Sequence, residues 1–343
     1  LQDVQNFKEN QNIAEPHKPG GKLKALEQKV KNWPWLKPLM RYGSAALALA
    51  IVVAMLIVLW QTREDLLEVL KRVEWGWLLA ALGVNLLSTL GYCAIWYYVG
   101  RSLSSQATYR ATLSVVSISS AGRYLPGGIW AGLGLLGLSS RVGLSILAMP
   151  VLFGLAQGVH LLLAWCISVN GLAWLGVTQD DWWRSNLVMV FSVGLVTAAV
   201  LSYRRYFQPL IKRLPDFGPK IRLSRHAFGK AILSSLGVWL LCGVRLSLIL
   251  LGCQANLMPG HPFQLILFLT WVAAISGIAL AIFFFIPLGL GAVELSMATF
   301  LGLITSDWPL IVAVLLLNRV IQIANDLIVV AYSIYHLKKT SVS

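Results

Sequence analysis

Long stretches of this chain carry almost no charge, and they recur from about residue 43 to about residue 336. A near-uncharged run of about 18 or more residues is long enough to cross a bilayer core of roughly 30 Å as a helix. Only 12% of the residues are charged and 57% are hydrophobic; soluble domains carry roughly 25% charged residues. The pattern excludes a soluble domain and predicts an all-α polytopic membrane protein.

The apolar segments run over about 43–60, 75–99, 111–138, 144–169, 187–203, 231–251, 264–303 and 309–336. Two are interrupted. Segment 111–138 contains Arg123-Tyr-Leu-Pro-Gly-Gly128, and segment 264–303 contains Pro287-Leu-Gly-Leu-Gly291. Proline removes a backbone donor and clashes with the preceding turn, while glycine relaxes the chain. Each break should turn the chain near mid-membrane. The expectation is about six full spans plus two re-entrant helical hairpins.

The basic residues support that arrangement. With a cytoplasmic N-terminus and both broken segments entering and leaving on one side, 21 of the 28 Lys and Arg fall on the cytoplasmic side. Four (Arg63, Lys71, Arg72 and Arg184) fall outside, and Arg123, Arg245 and Arg319 stay inside the membrane. This is the expected positive-inside bias, with both termini cytoplasmic in an inner or plasma membrane. The same order of elements then occurs twice with opposite orientation. Residues 43–169 form a first membrane repeat and 187–336 a second, each with one broken segment at the matching place. Such an inverted repeat points to a transport site between the halves near the midplane.

The formal net charge of +14 raises the question of nucleic acid. The basic residues lie between apolar runs and no DNA-binding motif accompanies them, so no nucleic acid partner is expected. Cys93, Cys166, Cys242 and Cys253 form no C-x-x-C pair and read as small buried hydrophobes. The first apolar run begins near Gly43, too far in for a cleaved signal peptide, and reads as a retained span. Before it, in the basic segment 1–42, Leu23, Leu26, Val30 and Trp33 follow helical spacing between lysines. They suggest an amphipathic helix lying on the inner leaflet. The basic loop 203–230 could likewise hold anionic headgroups.

Five ionisable residues other than histidine fall in apolar segments: Arg123, Arg245, Glu294, Arg319 and Asp326. A charge at a membrane helix centre costs at least about 2.5–3.5 kcal/mol, so each needs a reason. Arg319, Gln322 and Asp326 are spaced three and four apart and share a face of the last helix, where Asn318 and Asn325 widen the stripe. A helix restarting after Pro126, Gly127 and Gly128 would present unpaired N–H groups to an anion, with Arg123 beside them. The arm returning after Pro287, Gly289 and Gly291, with Glu294, would offer a second such end. Ion pairing between helices would explain Arg319 and Asp326 as well as a functional role does. His160 could relay protons, but a hydrogen-bonded packing role suits it better. Neither a catalytic motif nor a metal or cofactor motif is seen, so no enzyme activity and no cofactor is expected.

The stretches Gly122-Arg-Tyr-Leu-Pro-Gly-Gly-Ile129 and Ile286-Pro-Leu-Gly-Leu-Gly-Ala-Val-Glu294, with Asn318-Arg319 on the last helix, resemble the signatures of the lysylphosphatidylglycerol synthase transmembrane-domain family. The resemblance covers roughly residues 43–336. It implies two re-entrant hairpins and lipid translocation, with Arg123, Pro126, Gly127, Gly289, Gly291, Glu294 and Arg319 at motif positions. The soluble aminoacyl-transferase domain of fused members is absent from this sequence. The second motif reads Ala292-Val293-Glu294, without the arginine expected there, so the family name is not taken as the substrate.

The sequence thus predicts a lipid flippase or translocator for an anionic headgroup, either a phospholipid or a polyprenyl-phosphate-linked sugar. Arg123 and the first tip would bind phosphate, and Glu294, Arg319 and Asp326 would shape the path. Alternatives are a secondary transporter of a small anion, an integral membrane lipid or glycosyl transferase, and a scaffold for lipid-modifying enzymes. A homodimer is a further expected assembly.

Overall fold

In the hydrocarbon of a bilayer a backbone has no water to bond, so apolar segments close their hydrogen bonds within helices. The computed structural model follows this rule. It describes residues 63–103, 107–124, 130–143, 148–176, 225–255, 262–282 and 291–342, together with Ile57, Trp60 and Gln61; at 103, 148, 172–176, 225 and 338–342 only the backbone is described. All belong to one unit, residues 47–343. The expected interfacial helix in 1–42, the span 43–60 apart from Ile57 and Trp60, the span 187–203, the loop from 203 to 224, and Pro126, Gly127, Gly128, Pro287 and Gly289 lie outside the described residues.

The helices are α1 Arg63–Lys71, α2 Trp75–Leu103, α3 Tyr109–Ser120, α4 Trp130–Gly137, α5 Ala148–Gly176, α6 Arg225–Gly252, α7 Pro262–Ile282, α8 Ala292–Leu301 and α9 Trp308–Val342. Short 3₁₀ turns occupy Ala121–Tyr124 and Ser139–Val142, and no strand occurs among the described residues. Five of these helices, α2, α5, α6, α7 and α9, are long and apolar enough to cross a membrane. The chain is an all-α polytopic membrane protein.

The broken segments give short helices. At 1.5 Å per residue, the 12 residues of α3, the 8 of α4 and the 10 of α8 reach only about 18, 12 and 15 Å. None crosses a core of roughly 30 Å. The chain reverses between α3 and α4. A Cβ on Gly122 would lie 2.5 Å from the Ala131 nitrogen, and one on Gly134 would lie 3.1 Å from Ser119. Contacts that pair 122 with 131 and 119 with 134 belong to antiparallel arms, and glycine is what lets the two backbones come this close. α7 and α8 reverse in the same way, with Ser296 donating to Ser276 at 2.9 Å and the rings of Trp271 and Phe300 4.7 Å apart. The two broken segments differ in one respect: α7, at 21 residues, is long enough to cross, and α3 is not.

α2 and α6 pack antiparallel against each other. Ser88 faces Cys242 at 3.8 Å, Asn85 faces Arg245, and a Cβ on Gly91 would touch Val238 at 3.0 Å. Around this pair the contacts have a pattern. α3 lies on α9 as α7 lies on α5, and α2 meets α3 as α6 meets α7. α2 touches α5 and α9, and α6 touches α9 and α5. α4 meets α5 as α8 meets α9. Exchanging α2–α5 for α6–α9 returns the same set of neighbours.

Close fits and polar ties hold the helices in place. Gly171 admits the indole of Trp271, whose N–H donates to the Ser168 carbonyl at 2.8 Å. His160 stacks on Trp239 with ring centroids 4.5 Å apart, and its Nδ1 lies 2.8 Å from the Ser235 hydroxyl. It joins α5 to α6, in keeping with the packing role expected of it.

Candidate functional site

A run of polar residues lies along one face of α9. Arg319, Gln322 and Asp326 follow one another at helical spacing, and three other elements turn toward them.

α8 brings Glu294. Its carboxylate pairs with the Arg319 guanidinium, and both side chains are largely withdrawn from the surface, at 12% and 15% exposure. The other Glu294 oxygen accepts from the Gly291 N–H at 2.8 Å, and Gly291 adopts φ 82°, a left-handed conformation suited to glycine. Glu294 thereby closes the N-terminus of its own helix. The helix end that the sequence offers to an anion is filled here by the protein's own carboxylate. Arg319 also donates to Gln322 at 3.3 Å.

The turn after α3 brings Arg123 and Tyr124. Asp326 accepts from the Tyr124 hydroxyl at 2.7 Å and from the Asn325 amide at 3.3 Å. Arg123 approaches the same carboxylate at only 3.8 Å, and its side chain remains 42% exposed. Its Nε donates to the Ser120 carbonyl at 3.0 Å, which aims the guanidinium along the turn. Asp326 is therefore satisfied without Arg123, and Arg123 is weakly held.

α2 brings Asn85 and Thr89. Thr89 and Asn325 exchange hydrogen bonds of 2.9 and 3.2 Å, and Arg245 on α6 donates to the Asn85 side-chain oxygen. Asn318, beside Arg319, is buried with its side-chain oxygen unpartnered among the described residues.

The structure thus brings Arg123, Glu294, Arg319 and Asp326 into two ion pairs on α9, with Gly291 at the foot of one of them. Pro126, Gly127, Gly128, Pro287 and Gly289 adjoin these groups in sequence and lie outside the described residues. Asn85, Thr89 and Tyr124 escaped the sequence reading. The spacing of Asn85 and Thr89, four apart in an apolar run, and the adjacency of Tyr124 to Arg123 are the signals that point to them.

Chemically, the arrangement offers a half-exposed guanidinium in a polar track through apolar helices, suited to an anion. Among the described residues no three His, Cys, Asp or Glu converge as metal ligands would. An open cleft of about 520 Å³ at the start of α6 is lined by His226, Gly229, Lys230 and Leu233, with Lys230 set over the Tyr98 ring at 5.7 Å.

Among known families, the model described as the lysylphosphatidylglycerol synthase TM region matches residues 46–329. No curated protein matches the chain.

Proposed function

The chain belongs to the family of the lysylphosphatidylglycerol synthase TM region, and on that premise we propose that it translocates an anionic lipid headgroup across the cytoplasmic membrane. The observation that carries this reading is the loose Arg123–Asp326 pair. A phosphate oxygen arriving at Arg123 replaces a contact of 3.8 Å with a charge-assisted hydrogen bond, while Asp326 keeps Tyr124 and Asn325. The exchange costs little, as a step in transport requires. The lipid's tails remain in hydrocarbon, so only the headgroup has to pass the polar track.

Two features support an inverted repeat with re-entrant hairpins. Each half contains a pair of antiparallel arms with at least one helix too short to cross, and the helix neighbours are preserved when the halves are exchanged. α2 and α6, packed antiparallel, would flank the pseudo-twofold axis. Both termini would face the cytoplasm. The protein would act as a translocator and not as an enzyme, on phospholipid or polyprenyl-phosphate carriers.

The test is a dithionite-quench assay in proteoliposomes carrying fluorescent phosphatidylglycerol, phosphatidylcholine or a short polyprenyl phosphate. Wild type is expected to move the anionic lipids faster than phosphatidylcholine, and Arg123→Ala to slow them at least about tenfold, the loss of roughly 1.4 kcal/mol. Folded protein that moves no lipid faster than empty liposomes would overturn the reading.

A further inference from the structure

Of the three arginines in the interior of the apolar segments, Arg123 and Arg319 each face a carboxylate, and Arg245 faces none among the described residues. Its residue exposure is 6% and that of Asn85 is 5%. One nitrogen, Nη1, donates to the neutral amide oxygen of Asn85, and Nε, buried, has no partner among the described residues. Arginine carries its charge wherever it is placed. A buried charge without a counter-charge is costly, and proteins ordinarily pair it or give it a ligand.

The position is informative. Arg245 lies about 10 Å along α6 from its end at Gly252, well inside a bilayer core. Asn85 and Thr89 are four residues apart and share one face of α2. Thr89 bonds Asn325, Asn325 bonds Asp326, and Asp326 faces Arg123. Arg245 therefore stands one turn of α2 away from the track that begins at Arg123.

We propose that Arg245 and Asn85 form a second anion-holding station, which takes a phosphate oxygen of the same lipid after Arg123. This rests on the translocator reading above. Arg245 supplies the charge and the free N–H, and Asn85 orients the guanidinium. In the arrangement described the station is shut. Parting of the Thr89–Asn325 seam between α2 and α9 is the movement that opens it.

The test is thermal unfolding of the detergent-purified full chain, titrated with phosphatidylglycerol, phosphatidylcholine or inorganic phosphate. The variants are Arg245→Met, Asn85→Asp, Arg123→Ala, and Asn85→Asp combined with Arg123→Ala. Asn85→Asp sets a carboxylate against the guanidinium, so it should fold at least as stably as wild type while filling the station from within. In wild type, phosphatidylglycerol should raise the midpoint by several degrees more than either other additive. Asn85→Asp and Arg245→Met should each cut that excess at least twofold, and the double variant should abolish it. If Arg245→Met fails to fold, Asn85→Asp decides alone. An unchanged excess in folded Asn85→Asp, beside a loss in Arg123→Ala, would reduce Arg245 to a tie between helices and leave the translocator reading standing. No excess in wild type would overturn both. An equal rise with inorganic phosphate would overturn the lipid as ligand.

Discussion

Arg123 and Arg319 both meet a carboxylate, but the two pairs do different work. Glu294 and Arg319 are mutually withdrawn from the surface, and Glu294 also caps α8. Removing one partner of such a buried pair leaves a charge stranded and typically costs about 3 kcal/mol. Glu294→Gln, which keeps an acceptor for the Gly291 N–H, and Arg319→Met should each lower stability by about that amount. The double variant should lose at least about 1 kcal/mol less than the sum of the two. Chemical unfolding in mixed micelles checks this; strictly additive losses would refute the coupling. Arg123→Ala should behave otherwise. The pair is long and Arg123 is 42% exposed, so stability should stay within about 1 kcal/mol of wild type while transport falls. These charged residues were legible in the sequence because an ion inside an apolar run is expensive and therefore conspicuous. Asn85, Thr89 and Tyr124 carried only a faint signal in spacing and adjacency, because neutral polar groups are ordinary in membrane helices and spacing does not say which helix they will meet.

At the scale of elements, the breaks at Pro126 and Pro287 were visible because proline and glycine interrupt helical runs. The intimacy of the first hairpin was not. It depends on Gly122 and Gly134, two small residues among many. A Cβ on Gly122 would meet main-chain atoms of Ala131 and Trp130 at 2.5 and 2.6 Å, and these cannot move aside as a side chain can. On Gly134 the nearest atoms are those of Ser119, at 3.1 Å. Gly122→Ala should therefore cost about 2–3 kcal/mol and loosen the tip that carries Arg123, whereas Gly134→Ala should cost about 1 kcal/mol or less. Thermal midpoints of the two variants, measured in one detergent, check the order; a milder effect at Gly122 would contradict the packing. The length of α7 was also hidden, since apolar composition marks where a helix lies in the membrane and not how far one arm of a bend extends.

For the molecule as a whole, the decisive property is orientation. Gln254 bonds Glu74 at 3.0 Å, and Leu66 packs with Val312 and Ala313, so the ends of α6, α1 and the start of α9 share one side. In the orientation proposed from the positive-inside distribution, that side is external. In a cysteine-free background, cysteines at Gln254 and Asp307 should react with an impermeant maleimide added outside intact cells. Those at Ser105 and Ser140 should react only after permeabilisation. Labelling of Ser140 from outside would break the re-entrant arrangement of the first hairpin. The sequence by itself determined the membrane setting, the helical class, the breaks and the presence of costly charges. Each follows from local composition, because a lipid solvent admits few backbone solutions. Only the tertiary structure decided which charge meets which. Pairing depends on how helices distant in the chain approach and rotate, and that is set by side-chain packing spread over every contact. It left Asp326 satisfied beside a loosely held Arg123, closed Glu294 onto Arg319, and buried Arg245 against an amide with no carboxylate to answer it among the described residues.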